Sequence, residues 1–294
     1  MKKALTLTVV ANMTSNYSEG LGNISSVQKV FKGQHVYAMR SRESLKNAIC
    51  VQAGLYDDLE TSVDGAAQKF VSEKNNAATC RALEGGYMST EGLTYIRNSS
   101  FYLTDAVACD TFVNETRFHN NLYLASNNAK ANGLNLQEEG NAKKAGLMPY
   151  QYEYDKSMKT YSLTIDLEMI GKDENFNAEA DSEEKAERVL NLLNAVKNLS
   201  LVVKGNLDNA EPLFIAGGLS DRKTHYFENV VRVKHGALSI TEDLKDKLSE
   251  DFSCALLKGD NFTNEDQVVK ELCPISMKQF FDKLTEQVKS YYGV

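Results

Sequence analysis

The sequence opens on an alternation of apolar and polar positions. Leu5, Leu7 and Val9 fall on one side of a period-two stretch and Thr6 and Thr8 on the other, which predicts a strand from Lys3 to Ala11. A polar loop, NMTSNYSEGLGNISS, follows. Val27 to Phe31 and Gln34 to Met39 are then expected to pair as a hairpin across Lys32 and Gly33, leading into VYAMRSRESLKNAIC. There Ser41 is an N-cap type, Glu43 stands in the first turn, and Leu45, Ala48 and Ile49 recur at helical spacing. A short helix results, with Arg42 and Lys46 together on the face away from its apolar stripe.

Beyond it the pattern loosens. Leu55 to Tyr95 is irregular and reads as an insertion. Ser99 to Leu124 has strand-like composition, interrupted by the polar run Asn114 to Asn121, and Ser126 to Lys144 is polar enough to be loop. The clearest strand is Thr160 to Ile170. Tyr150, Tyr152 and Tyr154 alternate before it, so a hairpin is expected with Asp155 to Lys159 as its turn. Asp181 and Glu184 form a capping-box pattern ahead of a helix that buries Ala186, Val189, Leu190, Leu193 and Val196. Leu213 to Ala216 and Tyr226 to Val233 are further strand candidates. Leu244, Leu248 and Phe252 recur by four, and Ser276 with Gln279 opens a last helix carrying Met277, Phe280, Phe281, Leu284 and Val288. This order predicts an α+β fold with an RRM-like (ferredoxin-like) βαββαβ core and long insertions.

Charge narrows the function. The 294 residues carry 33 basic and 40 acidic side chains, net −7, which argues against a generic nucleic-acid binder. The charge is uneven, however. Asn23 to Gln52 holds Lys29, Lys32, Arg40, Arg42 and Lys46 against Glu43 alone, whereas Asp173 to Glu187 holds seven acids and one lysine. A helix start flanked by Arg40, Arg42 and Lys46 suits a phosphate, because backbone N–H groups, the helix dipole and side-chain charge all favour an anion there. Five cysteines without a CxxC and four scattered histidines give no zinc spacing, so no metal, cofactor or disulfide framework is expected. The adjacent Asp57 and Asp58 read as solvated acids, and Gly20 to Gly22 falls short of any nucleotide-loop motif. The opening MKKALTLTVVA is too short and threonine-containing an apolar run for a signal peptide, and no stretch is long enough to span a bilayer. A reduced, cytoplasmic protein with no membrane partner is expected.

For catalysis, His35 is the one histidine beside the basic stretch, and it supports an alternative reading as a metal-independent endoribonuclease. No aspartate occurs before Asp57, so the region around the basic stretch lacks the acid a hydrolase would commonly place there. The first strand also lacks base-stacking aromatics, so any RNA is expected to be held through its backbone.

Several strings occur in an order that resembles a known family. The opening strand, SSVQK and MRSRESLKNAI, then ALEGGYM, RNSSFYLTDA, NETRFHNNLYLA, GLMPYQYEYDKSMKTYSLTIDLEMIG and FIAGG, are similar to the DevR branch of the Cas-seven family. These are backbone subunits of type I CRISPR surveillance complexes (Cascade), in this branch associated with type I-B systems. The resemblance implies a RAMP-superfamily protein shaped like a hand. Its RRM-like palm would comprise 1–54, 96–125 and 160–294, including the C-terminal helices, with helical fingers at 55–95 and a thumb hairpin at 126–159. Copies of the chain would polymerise along CRISPR RNA, each thumb displacing a base and leaving the rest free to pair with target DNA. Other Cascade subunits and a recruited nuclease-helicase would be partners, and this chain would not itself cut. By motif position Lys29, Ser41, Glu43 and Lys46 fall at RNA contacts, with Arg40 and Arg42 adding charge and Glu43 better suited to capping. Met148 is the candidate thumb wedge, and the three alternating tyrosines either stack on bases or face a core.

Overall fold

The computed structural model describes residues 2–18, 24–90 and 92–294; the Gly20 to Gly22 loop lies outside them. The main sheet is built from β1 (Ala4–Thr14), β2 (Lys29–Lys32), β3 (His35–Arg40), β4 (Phe101–Leu103), β5 (Ala106–Ala108), β6 (Lys156–Asp166), β7 (Pro212–Ser220) and β8 (Ser253–Leu256). Helix α1 (Arg42–Gln52) follows β3, α2 (Ser182–Lys197) lies between β6 and β7, and α3 (Met277–Tyr292) closes the chain. The strands run in the order β8–β7–β1–β6–β5–β3–β2, with β4 also on β6, and every pairing is antiparallel. β1 is central, registered from Ala4 opposite Asp166 to Thr14 opposite Lys156 on one side and against β7 on the other.

The alternation in β1 explains both faces. Leu5, Leu7, Val9, Ala11 and Met13 pack with Leu45 and Ile49 of α1, Val189, Leu193 and Val196 of α2, and Phe280, Phe281 and Leu284 of α3. Full burial of such side chains stabilises by about 1.5–3 kcal/mol each. Thr6 and Thr8 point to the other face but are not solvated. Their hydroxyls meet Thr164 at 3.3 Å and Ser162 at 2.7 Å on β6, so a buried polar strip satisfies itself across the strands. Beyond it Val10, Phe214, Phe227, Val231, Leu244 and Val268 form a second core under the helices Glu242–Ser249 and Glu265–Leu272. Ser41, Asp181 and Ser276 cap α1, α2 and α3 as their sequence positions predict, and Ser276 completes its box with Gln279.

Several expectations are corrected. The hairpin between Tyr150–Tyr154 and Thr160–Ile170 does not form: Pro149–Glu153 pairs instead with Thr116–Asn120, inside the run that looked too polar for a strand. The expected turn residues Lys156 to Lys159 belong to β6, which ends at Asp166. The expected loop from Ser126 is helical at its start, in Leu122–Ala131, because Ala125, Ala129 and Ala145 make a small core that a search for large apolar residues misses. Tyr226 to Val230 is a run of turns that nevertheless buries Phe227; only Val233–Lys234 pairs, with Ala237–Leu238.

The insertion from Leu55 also departs from expectation, since it is not helical. It contains the hairpins Thr61–Asp64/Ala66–Lys69 and Tyr87–Ser89/Tyr95–Arg97, with one 3₁₀ turn, Arg81–Gly85, between them. Asp58 is no bare solvated acid: its carboxylate accepts from the N–H groups of Arg81 at 2.8 Å and Ala82 at 3.3 Å. A fully buried ionic knot ties this insertion to the helical face. Glu84 accepts from Arg188 of α2 at 2.7 Å, from Gly171 N–H at 2.6 Å, from Arg97 at 3.1 Å and from the Ser100 hydroxyl. Among the described residues no helix is long and apolar enough to cross a membrane.

Candidate nucleic-acid interface

The start of α1 sits where β3 meets the loop that leaves β1. Ser41, extended at φ −63°, ψ 147°, accepts from the Ser44 N–H through its hydroxyl at 3.3 Å. Its own N–H donates to Asn16 Oδ1 at 2.8 Å, which fastens the β1 loop to the helix entrance. The Arg42 N–H donates to Asp105 Oδ1 at 2.7 Å. A carboxylate therefore already occupies part of the position that helix geometry offers to an anion. The Glu43 N–H has no partner among the described residues, and the Arg42 side chain is 65% exposed, with the still more exposed Glu43 carboxylate beside it at 3.2 Å.

The six sequence-predicted residues divide into three groups. Ser41, Arg42 and Glu43 stand together at the open helix start. Arg40 lies beneath them, 4% exposed, donating to Thr14 O at 3.1 Å and Ser44 Oγ at 2.7 Å, and burial lowers its pKa. One of its guanidinium nitrogens, Nη2, is buried without a partner among the described residues, as is the Thr14 hydroxyl. Lys46 and Lys29 are elsewhere. Lys46 does not share an open face with Arg42. Its ammonium donates to Gly85 O at 2.8 Å and Ser99 Oγ at 3.2 Å and lies 5.0 Å from the Phe101 ring centre, and burial lowers its pKa. Lys29 is ion-paired with Glu153 and lies 4.9 Å over Phe112. Helical periodicity placed Lys46 on the right side of α1 but could not show that the insertion packs against that side.

Further charges support the site without having been singled out in the sequence. Lys159, wholly buried, donates to Met13 O at 2.8 Å and Asp155 at 2.6 Å; burial lowers its pKa, with Asp155 working the other way. Burial opposes the charge on Asp208, yet hydrogen bonds from the Thr14 N–H at 2.9 Å and Lys156 at 3.2 Å hold its carboxyl below the ordinary value. These groups fix the end of β1, and with it Asn16. The partnership of Asn16 and Asp105 with α1 spans remote parts of the chain, so local pattern carries no signal for it. His35 stands exposed at the β2–β3 turn, about 16 Å along the strand from Arg40 at 3.3 Å per residue, and no hydrogen bond orients its ring among the described residues. Met148 is 56% exposed, and its N–H donates to Asn121 at 2.6 Å at the start of helix Leu122–Ala131.

Residues 5–223 match the family of CRISPR-associated negative auto-regulator DevR/Csa2. The chain belongs to the DevR/Csa2 family. Curated protein sequences give no match. Many chains in solved structures resemble this one in fold, and two illustrate the likeness. One, a chain of a "CRISPR RNA-guided surveillance complex, pre-nicking", has a TM-score of 0.64 at 10% identity, covering 97% of this chain and 100% of that one. Another, from a "CRISPR RNA-guided surveillance complex", has a TM-score of 0.51 at 13% identity, covering 87% and 90%. The DevR/Csa2 assignment agrees with the resemblance carried by the ordered strings, and it covers both β1 and the helix start just described.

Proposed function

We propose that this DevR/Csa2 protein is a backbone subunit of a type I-B Cascade, holding CRISPR RNA through phosphate contacts and presenting it to target DNA. Family membership across residues 5–223 carries the reading. The similarity in fold to chains of CRISPR RNA-guided surveillance complexes supports it, since almost the whole of both chains aligns. In this reading β1, α1, β4–β5, β6, α2 and β7 form an RRM-like palm: the four strand positions lie in the spatial order 4-1-3-2, the arrangement of a ferredoxin-like βαββαβ unit. Residues 55–95 are the fingers, and the excursion containing Met148 is the thumb. Copies of the chain sit side by side along the guide. The subunit binds and does not cleave, a recruited nuclease-helicase doing the cutting; the lack of aspartate before Asp57 supports this.

Among the described residues at the helix start the exposed cation is Arg42, paired only with the exposed Glu43, whereas Lys46 and Lys29 are engaged within the fold. Arg42→Ala is therefore expected to weaken guide RNA binding several-fold and by the same factor for unrelated spacer sequences. The slope of log K against log salt should flatten by about 0.7, the value for one phosphate contact on a single strand. Titrations of labelled RNAs at several salt concentrations measure both. A loss confined to one sequence, or an unchanged slope, contradicts phosphate contact by Arg42. For the endoribonuclease alternative, labelled repeat RNA left intact by the unsubstituted protein excludes cleavage, whereas cleavage abolished by His35→Ala establishes it.

A further inference from the structure

Strands Thr116–Asn120 and Pro149–Glu153 pair with Arg117 opposite Tyr152 and His119 opposite Tyr150. Because side chains alternate across a strand, all four stand on one face of the small sheet. Three of them are near-parallel rings. His119 and Tyr152 lie 5.0 Å apart at 9°, His119 and Tyr150 5.6 Å apart at 18°, and Tyr150 and Tyr152 6.4 Å apart at 18°. The Arg117 guanidinium lies 3.5 Å from the centre of the Tyr154 ring. From the other side Tyr17 meets Tyr152 edge-on at 6.0 Å and donates to Glu153 O at 2.8 Å, and Lys204 lies 4.9 Å over Tyr17.

This cluster has a floor and an open side. Tyr152 is 8% exposed, whereas Tyr150 is 42% exposed and His119 is on the surface. Cross-strand packing explains the floor but leaves the exposed ring surfaces uncovered. The flanking charges have a small cationic excess: Lys29 is paired with Glu153 and Arg117 with Glu115 at 3.2 Å, and Lys204 adds a further positive charge over Tyr17. Tyr17 directly follows Asn16, the residue fastened to the start of α1, so adjacent residues link the cluster to the helix start.

We infer that Tyr150 and His119 form a stacking platform for unpaired bases of RNA, with Arg117 and Lys204 facing the adjoining phosphates. Exposed parallel rings bordered by cations are what single-stranded nucleic acid uses: the rings take the flat faces of any base, and the cations take the backbone. The inference deepens the RNA-binding reading above and rests on it. It adds a base-dependent but sequence-tolerant contact to a grip otherwise made through phosphates.

The test compares a single-stranded RNA of about ten nucleotides, within the usual site size, with an abasic strand of the same backbone length. The double substitution Tyr150→Leu with His119→Leu is expected to weaken binding of the intact strand about tenfold and leave the abasic strand unaffected. Tyr150→Phe, which keeps the ring, should bind like the unsubstituted protein, and unchanged far-ultraviolet circular dichroism shows that the variants fold. Arg42→Ala should weaken both strands alike. If Arg42→Ala weakens binding while the double variant binds intact RNA at full affinity, the platform is overturned and the RNA reading stands. If the unsubstituted protein binds neither strand, both fall.

Discussion

Glu84→Ala is expected to lower the unfolding temperature by about 10 °C, equivalent to about 3–5 kcal/mol. The reason lies in what the carboxylate leaves behind. Arg97 and Arg188 keep several carbonyl partners, among them Met169 O at 2.8 Å and Ala78 O at 3.1 Å, but their side chains are 3% and 1% exposed and would lose their buried counter-charge. Arg188 retains Glu184, which is only partly buried and is shared with Arg81. Gly171 N–H and the Ser100 hydroxyl would lose an acceptor as well. Because Glu84 joins the 55–95 insertion to α2 and to the turn after β6, the loss should also loosen the insertion, seen as faster amide exchange in Tyr87–Ser89 and Tyr95–Arg97. Thermal unfolding within about 2 °C of the unsubstituted protein, less than 1 kcal/mol for a chain of this size, would show that water or the remaining acceptors replace the carboxylate.

Gly217→Ala is the second large effect. The added methyl would stand 2.1 Å from Thr6 O and 2.8 Å from Leu7 Cδ2, and the first of these is backbone in the central strand. A flexible side chain could turn aside, but a carbonyl bonded into the sheet cannot. The β1–β7 pairing must therefore shift, at a cost of about 3 kcal/mol, the upper part of the usual range for overpacking. An unfolding temperature lower by about 6 °C or more is expected for a chain of this size, with reduced amide protection in both strands. A variant as stable as the parent would mean that β7 relaxes easily at this position. FIAGG thus has a physical reason: close strand approach requires the missing side chain.

The legible parts of the sequence are those with a strong local period. β1, the β2–β3 hairpin and the capped helices α1, α2 and α3 follow from alternation, turn residues and capping signals, and the structure places them accordingly. The illegible parts depend on remote partners. Thr116–Asn120 is polar because it belongs to a small sheet largely outside the main core, and its pairing with Pro149–Glu153 competes with a hairpin that looks equally good locally. The alanine core under Leu122–Ala131 carries little hydrophobic signal. At the site, sequence located the helix start and its Ser41 cap, but charge alone could not separate the exposed Arg42 from Lys46, whose ammonium is held by Gly85 and Ser99, or from Lys29, held by Glu153. Nor could it show that Asp105 partly fills the anion position. The tyrosine alternation pointed to a ring-bearing face; the partner His119 emerged only from the cross-strand register.

The central claim is that this DevR/Csa2 chain binds CRISPR RNA along its backbone, irrespective of spacer sequence. The most direct measurement is to purify the protein with its partner subunits from cells expressing a CRISPR array and to sequence the nucleic acid that accompanies it. With no tryptophan in the chain, bound RNA also stands out in the ratio of absorbance at 260 to 280 nm. Guide RNAs of uniform length carrying many different spacers are the expected result. Protein free of RNA despite the presence of its partners, or RNA of a single sequence, would contradict it.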